Sequence, residues 1–306
     1  MAHVGVARSF IHSFFGTYLH ANGLGFYNSF IFYAVKLARM PSSSNNFRVL
    51  VLGGTTESSA LCRDLEQTPS ISTTLSLAGV TKQPHLPTLS VRIGGFGGVD
   101  GLSTWLKTHG ISALIDATHP FAATMSQHAA TACGTTQTPL LRLERPDWQE
   151  MPGDRWFHAA NLKEAASLLA NSPKWRTAPQ RIFLTTGRKE LAPFKIAPQH
   201  HYLIRSIDAP DPASLPPNAT ILLDRGPFDV NSEAKLMQDY GITLLVSKNS
   251  GGSATYPKLE AARLLRIPVL MIDRPVACPH IPTVETAQQA MAWLQAHQAA
   301  STRRKV

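Results

Sequence analysis

The chain has 306 residues, enough for two domains of ordinary size, and 43% hydrophobic against 16% charged residues excludes a disordered or fibrous protein. The formal charge of +9 does not mark a nucleic-acid binder. Arg8, Lys36 and Arg39 stand in an acid-free leader and Arg303, Arg304 and Lys305 in the tail, so the body is only mildly basic. Cys62, Cys133 and Cys278 are far apart, with no CxxC or HExxH, so neither a disulfide framework nor a metal site is signalled, and a reducing cytoplasm is the expected setting.

Residues 1–46 are rich in Phe, Tyr, Ser and Gly, and polar residues interrupt every apolar run. No stretch reaches the roughly 18–20 residues of a spanning helix. The segment reads either as an organellar targeting leader or as a poorly ordered extension preceding a functional start near Met40. From Phe47 short β-branched runs alternate with helical patterns. "FRVLVLGG" predicts a buried strand, "TESSALCRDLEQ" a helix, and "TTLSLAG" a second strand. "GLSTWLKTHG" follows as a helix, "ISALIDAT" as a strand, "FAATMSQHAATACG" as a helix and "PLLRLERP" as a strand. After the Pro-, Gly- and acid-rich stretch 145–156 the pattern restarts. "NLKEAASLLA", "NSEAKLMQDYG", "YPKLEAARLLR" and a terminal helix interleave with "RIFLTTG", "HYLIRSI", "ATILLDRGPF", "ITLLVSK" and "PVLMIDRP". Such alternation implies parallel sheets covered on both faces. The expected fold is α/β: two Rossmann-like three-layer domains, 47–150 and 151–300, with a cleft between them.

The candidate site residues lie where strands end. Gly53, Gly54, Thr55, Thr56 and Glu57 follow the first strand, where a helix N-terminus can receive a phosphate. The order is not GxGxxG, and a tight βα turn explains the glycines equally. The second strand ends without an acidic ribose partner; Thr81 and Lys82 stand there instead, a lean towards NADP, although Lys82 also reads as a solvated loop residue. Gly94, Gly95, Gly97 and Gly98 around Phe96 imply backbone packed against a ligand or a neighbouring domain. In "IDATHPFA", His119 sits at a strand end, either as a proton donor or anion contact, or beside Thr118 as a cap for a helix starting at Pro120. "SKNSGG" poses the same choice between an anion cradle and a plain turn, with Lys248 at the strand edge and the amides of Ser250, Gly251 and Gly252 behind it. Arginines recur at strand ends (Arg142, Arg145, Arg188, Arg205, Arg225, Arg274), as a polyanion site or as surface ion pairs.

In this order, "VLVLGGTTE", "SLAG", "RIGGFGG", "LIDATHPFA", "LLRLERPDW", "FLTTGRKEL", "LLDRGPF", "SKNSGG" and "PVLMIDRP" resemble the precorrin-6A reductase family of cobalamin biosynthesis. The resemblance implies a two-domain reductase that binds NADPH, with NADH the alternative. It implies reduction of one double bond of the precorrin-6A ring, or of its cobalt-bearing counterpart, to give precorrin-6B. It places the cofactor around Gly53–Glu57 and the cleft, with "THPFA" and "SKNSGG" lining the site, and Thr81, Lys82, Ser250, Gly251 and Gly252 complete the cofactor candidates. Lys248 and His119 are the candidate catalytic residues, and Arg188, Arg225 and Tyr256 the candidate contacts to the tetrapyrrole and its carboxylates. Val80 departs from the arginine that the family often carries after "LAG". The expected protein is a cytoplasmic monomer acting on a small molecule, with no nucleic-acid or membrane partner. The competing readings are a non-catalytic NADP(H) sensor and a dehydrogenase of another substrate. A short-chain dehydrogenase would need YxxxK, and no tyrosine here has a lysine four residues on.

Overall fold

The computed structural model describes residues 47–79, 88–276 and 280–303. The leader 1–46 and the candidates Thr81 and Lys82 lie outside the described residues. From Phe47 onward the chain forms one compact unit.

The first sheet is built from β1 (Phe47–Leu52), β2 (Ile71–Leu77), β3 (Ser90–Ile93), β4 (Ala113–Asp116), β5 (Leu140–Leu143) and the last strand, β12 (Thr283–Val284). All pair in parallel, in the order β12-β5-β4-β1-β2-β3. The central strand shows why. Its residues alternate between two buried faces, as the two-residue period of a strand requires. Val49 and Val51 pack with Leu61 and Leu65 of α1 (Thr56–Glu66) and with Ala290 and Leu294 of α8 (Ala287–Arg303). Leu50 and Leu52 face the other way, onto Leu102 and Leu106 of α2 (Gly98–Thr108) and Ala129 and Ala132 of α3 (Ala123–Thr136). Cys62 and Cys133 are buried in opposite layers and are both free thiols.

The second sheet repeats the design with β6 (Trp156–Ala159), β7 (Arg181–Leu184), β8 (His201–Ser206), β9 (Ala219–Leu223), β10 (Leu244–Lys248) and β11 (Val269–Ile272), ordered β6-β11-β10-β7-β8-β9. One face packs on α4 (Leu162–Asn171) and the short α5 (Pro173–Arg176), the other on α6 (Val230–Asp239) and α7 (Pro257–Leu264). The expected pair of parallel three-layer arrangements is therefore present.

Three details differ from the sequence reading. β3, β6 and β12 are short strands that carry no long apolar run. The strand expected to continue through "DRGPF" stops at Leu223, and a loop with a cis Gly226–Pro227 bond follows. A second domain of 151–300 groups β12 and most of α8 with the second sheet, whereas β12 pairs with β5 and α8 packs on α1. Among the described residues no helix is long and apolar enough to cross a membrane.

Strand order fixes where a ligand can enter. In the first sheet the direction of winding reverses between β1 and β4, and in the second between β7 and β10. At such reversals the loops leave to opposite faces and open a crevice beyond the carboxyl ends of the strands.

Candidate active site

At the first reversal, β1 runs into Gly53 and Gly54. The Gly53 amide donates to the Ser76 carbonyl at 2.9 Å, and a Cβ on Gly53 would lie 2.6 Å from Leu75. Gly54 has φ +123° and open space where a Cβ would stand. Thr55 caps α1 by accepting the Ser58 amide at 3.0 Å, and Ser58 Oγ in return accepts the amides of Gly54 and Thr55, both at 3.1 Å. The Thr55 hydroxyl donates across the reversal to the Ala117 carbonyl at 3.0 Å. Glu57 closes the turn. Burial raises its carboxyl, but its own amide and the Arg145 guanidinium outweigh that and hold it below the usual range. Arg145 Nη1 lies 2.7 Å from Glu57 Oε2.

Across the reversal, β4 ends in Asp116. Its Oδ1 accepts from the Thr118 amide (3.1 Å) and hydroxyl (2.7 Å), while Oδ2 pairs with Arg142 Nη1 at 2.6 Å. Arg142 also donates to Ser126 Oγ at 2.6 Å and, through Nε, to Glu144. Thr118 is thus tied to Asp116 and does not cap α3. That helix starts at Ala123 behind Ala122, with no side-chain cap, because the Ala122 amide first makes a turn onto the His119 carbonyl at 2.7 Å. His119 Nδ1 accepts the Phe121 amide at 3.3 Å, so the ring proton resides on Nε2. Burial, and then the positive charges of Arg145, Lys248, Arg274 and Lys258, hold His119 neutral, with its pKa pushed down to about 3.

The second sheet meets this edge with its own reversal. Lys248 ends β10, its side chain only 11% exposed, and its ammonium pairs with Glu190 and lies 5.0 Å from the centre of the Phe121 ring. Burial lowers it to about 8. Phe121 itself packs on the core of the second sheet. Glu190 follows β7 in "TTGRKEL", and earlier in the same segment the buried Thr186 hydroxyl has no partner among the described residues.

The "SKNSGG" loop is gripped by the connection between the sheets. Asn249 exchanges hydrogen bonds with the Trp148 backbone at 2.8 and 3.0 Å, and Trp148 Nε1 donates to the Gly252 carbonyl at 2.8 Å. Arg145 Nε donates to the Ser250 carbonyl at 2.8 Å, and Arg274 Nε to the Asn249 carbonyl at 2.9 Å. A Cβ on Gly251 (φ +68°) would fall 2.1 Å from the Pro146 carbonyl, and one on Gly252 would fall 2.8 Å from Arg145 Cδ. These glycines let the connection and its arginines lie against the loop, and the loop presents carbonyls to them.

The structure therefore brings the Gly53–Glu57 turn, His119, Lys248 and the Ser250–Gly252 loop together around Arg145 and Arg274. The three substrate candidates stand in separate loops. Arg188, in the same loop as Glu190, lies 3.6 Å from Asp208. Arg225 is exposed in the loop after β9. The Tyr256 hydroxyl accepts from Arg263 at 2.9 Å, and that arginine pairs with Asp154 at 2.8 Å. Sequence reasoning did not single out Glu190 or Trp148, and it noted Asn249 only as part of the "SKNSGG" loop, with no role of its own. The one available signal for Glu190 was its place just after a strand ending in glycine, the same grammar as "GGTTE".

A family model described as "Precorrin-6x reductase CbiJ/CobK" matches residues 48–295, from β1 into α8. The chain belongs to this family. Among curated precorrin-6x reductases, the "Precorrin-6A reductase" of Rhodococcus erythropolis is 48% identical, over 81% of this chain and 97% of its own length. That of Rhodobacter capsulatus is 44% identical, over 82% and 96% respectively. The "Cobalt-precorrin-6A reductase" of Priestia megaterium is 28% identical, over 74% and 90%. A solved structure named "CobK precorrin-6A reductase" superposes with a TM-score of 0.74 at 43% identity, covering 82% of this chain and 96% of its own. The precorrin-6x reductase match includes β12 and the first half of α8, so the return of the chain to the first sheet falls within it.

Proposed function

We propose that this chain reduces one double bond of the metal-free precorrin-6A ring with NADPH, giving precorrin-6B, in the cytoplasm and as a monomer. Residues 47–150, with the returning β12 and α8, form the cofactor lobe. The observation that carries the reading is the meeting of two reversal points, with the glycine turn and His119 on one side and Lys248 on the other. A metal-free substrate is favoured because precorrin-6A reductases match at 42–48% identity and cobalt-precorrin-6A reductases at 28–30%.

The turn after β1 suits a dinucleotide: its left-handed Gly54 leaves room for close approach, and it sits beyond the carboxyl ends of β1 and β4. When bound, the reduced nicotinamide supplies the hydride. Gly53, Gly54, Thr55 and Thr56 would hold the diphosphate, and Glu57 would yield its place to it. Ser250, Gly251 and Gly252 act through Arg145, which they seat. Lys248 gives the proton that accompanies the hydride, and neutral His119 donates from Nε2 to a ring carboxylate. Arg188, Arg225 and Tyr256 contact the outlying carboxylates of the tetrapyrrole.

The test is anaerobic absorbance spectroscopy with precorrin-6A and its cobalt form, each with NADPH or NADH. Loss of nicotinamide absorbance matched to a change in the metal-free ring spectrum is expected. Binding of NADPH with no change in either ring would favour a cofactor-sensing module.

A further inference from the structure

The carboxyl end of β2 is where NAD-binding Rossmann folds place an acidic residue for the ribose hydroxyls, about 20 residues beyond the glycine turn. Here that end reads Ser76, Leu77, Ala78 and Gly79, with no acid. A cation from the neighbouring strand stands there instead. Arg92, on β3, donates through Nη1 to Ser76 Oγ at 2.8 Å and to the Gly94 carbonyl at 3.0 Å, and through Nη2 to the Gly95 carbonyl at 2.9 Å. Its guanidinium carbon lies 3.7 Å from the centre of the Phe96 ring. "RIGGFGG" is thus a socket. Gly94 and Gly97 take left-handed backbone, turning carbonyls and the phenyl face onto one guanidinium.

We propose that Arg92 is the residue that selects NADPH over NADH, by binding the phosphate on the 2′-oxygen of the adenine ribose. The inference rests on the dinucleotide reading above. Three features support it. The guanidinium is held in place from three directions, so little freedom is lost when it meets an anion. No carboxylate pairs with it among the described residues. It spends three hydrogen bonds on the protein out of five donors, which leaves a half-buried cation able to take a phosphate oxygen. A ribose without the phosphate gains nothing from this charge, so the effect is one of selectivity and not of general affinity.

The test is isothermal titration calorimetry of the full chain with NADPH, NADH and adenosine 2′,5′-bisphosphate, for wild type, Arg92→Gln and Arg92→Lys. Wild type is expected to favour NADPH. Arg92→Gln should weaken NADPH and the bisphosphate by about tenfold to a hundredfold while leaving NADH within twofold, and Arg92→Lys should retain part of the preference. An unchanged NADPH-to-NADH ratio in Arg92→Gln, or equal loss of both dinucleotides, overturns the proposal and leaves the cofactor reading standing. Failure of wild type to bind either dinucleotide removes both. Should Arg92→Gln fail to fold, Ser76→Asp keeps the guanidinium and neutralises it in place. That variant must narrow the ratio in the same way, and a ratio unmoved by it overturns the proposal.

Discussion

Arg145 Nη1 and Glu57 Oε2 lie 2.7 Å apart, joining the connection between the sheets to the first turn of α1. The same guanidinium holds the Ser250 carbonyl of the second sheet at 2.8 Å. Both members of the pair are mostly buried. Arg145→Ala leaves a carboxylate and a carbonyl without their donor, so a loss of about 2–4 kcal/mol in urea unfolding is expected. Glu57→Gln removes the negative charge from the place proposed for the diphosphate. It should lower the Kd for NADPH several-fold, and a raised Kd would show that Glu57 is itself a cofactor ligand.

Lys248 has the burial and the charge of a proton donor. Lys248→Ala is expected to cut kcat by about a hundredfold or more with little change in the Kd for NADPH, as loss of a general acid does. A group titrating at about 8 is protonated below that pH, so wild-type kcat should fall as pH rises through 8. A flat profile from pH 6 to 9.5 would remove Lys248 from this role.

His119 gives a stability signature of the opposite reach. Its folded pKa, about 3, lies below its ordinary value of 6.5. Between those values the unfolded chain binds a proton that the folded chain refuses, so stability is present above pH 6.5 and is lost as pH falls. Between pH 7 and pH 5 the loss attributable to this ring is about 2 kcal/mol. Urea titrations should show wild type losing that much more than His119→Gln over the same interval.

Lys258 is a buried lysine that the proposed chemistry does not use. Its ammonium donates to the Thr255 carbonyl at 3.0 Å and lies 4.6 Å from the centre of a Trp148 ring, inside the first turn of α7, where the helix end is itself positive. Burial pushes it down to about 7, helped by Arg205. A lysine depressed in this way makes the fold less stable as pH falls from its unfolded value of 10.5 towards 7. Lys258→Met, similar in length and apolar, should equal or exceed wild type by about 1–3 kcal/mol at pH 7 and abolish the gain that wild type shows at pH 9.

What the sequence disclosed follows from how far apart the interacting residues lie along it. β1 and the turn after it were legible because the apolar run, the glycines and the capping residues are contiguous. The same holds for β10 and Lys248. β12 was not legible: two residues, Thr283 and Val284, become a strand only by pairing with Arg142 and Leu143. Glu190 was hidden for the same reason, since its meaning comes from Lys248, 58 positions away. The glycines of "SKNSGG" announced a close approach, but not that the approaching group is Pro146 and Arg145 of the chain itself.

The return of the chain to the first sheet bears on how the protein is made. β1 to β5 are synthesised before the second sheet, yet Ala287, Ala290 and Leu294, which complete their core, are synthesised after it. Between them comes the whole second sheet, from Trp156 to Ile272. During translation one apolar face beside Val49 and Val51 stays open while the second sheet is made, and closes only once α8 has emerged. A chaperone that shields this face would act on nascent chains halted anywhere from residue 144 to residue 286, and would let go when α8 docks.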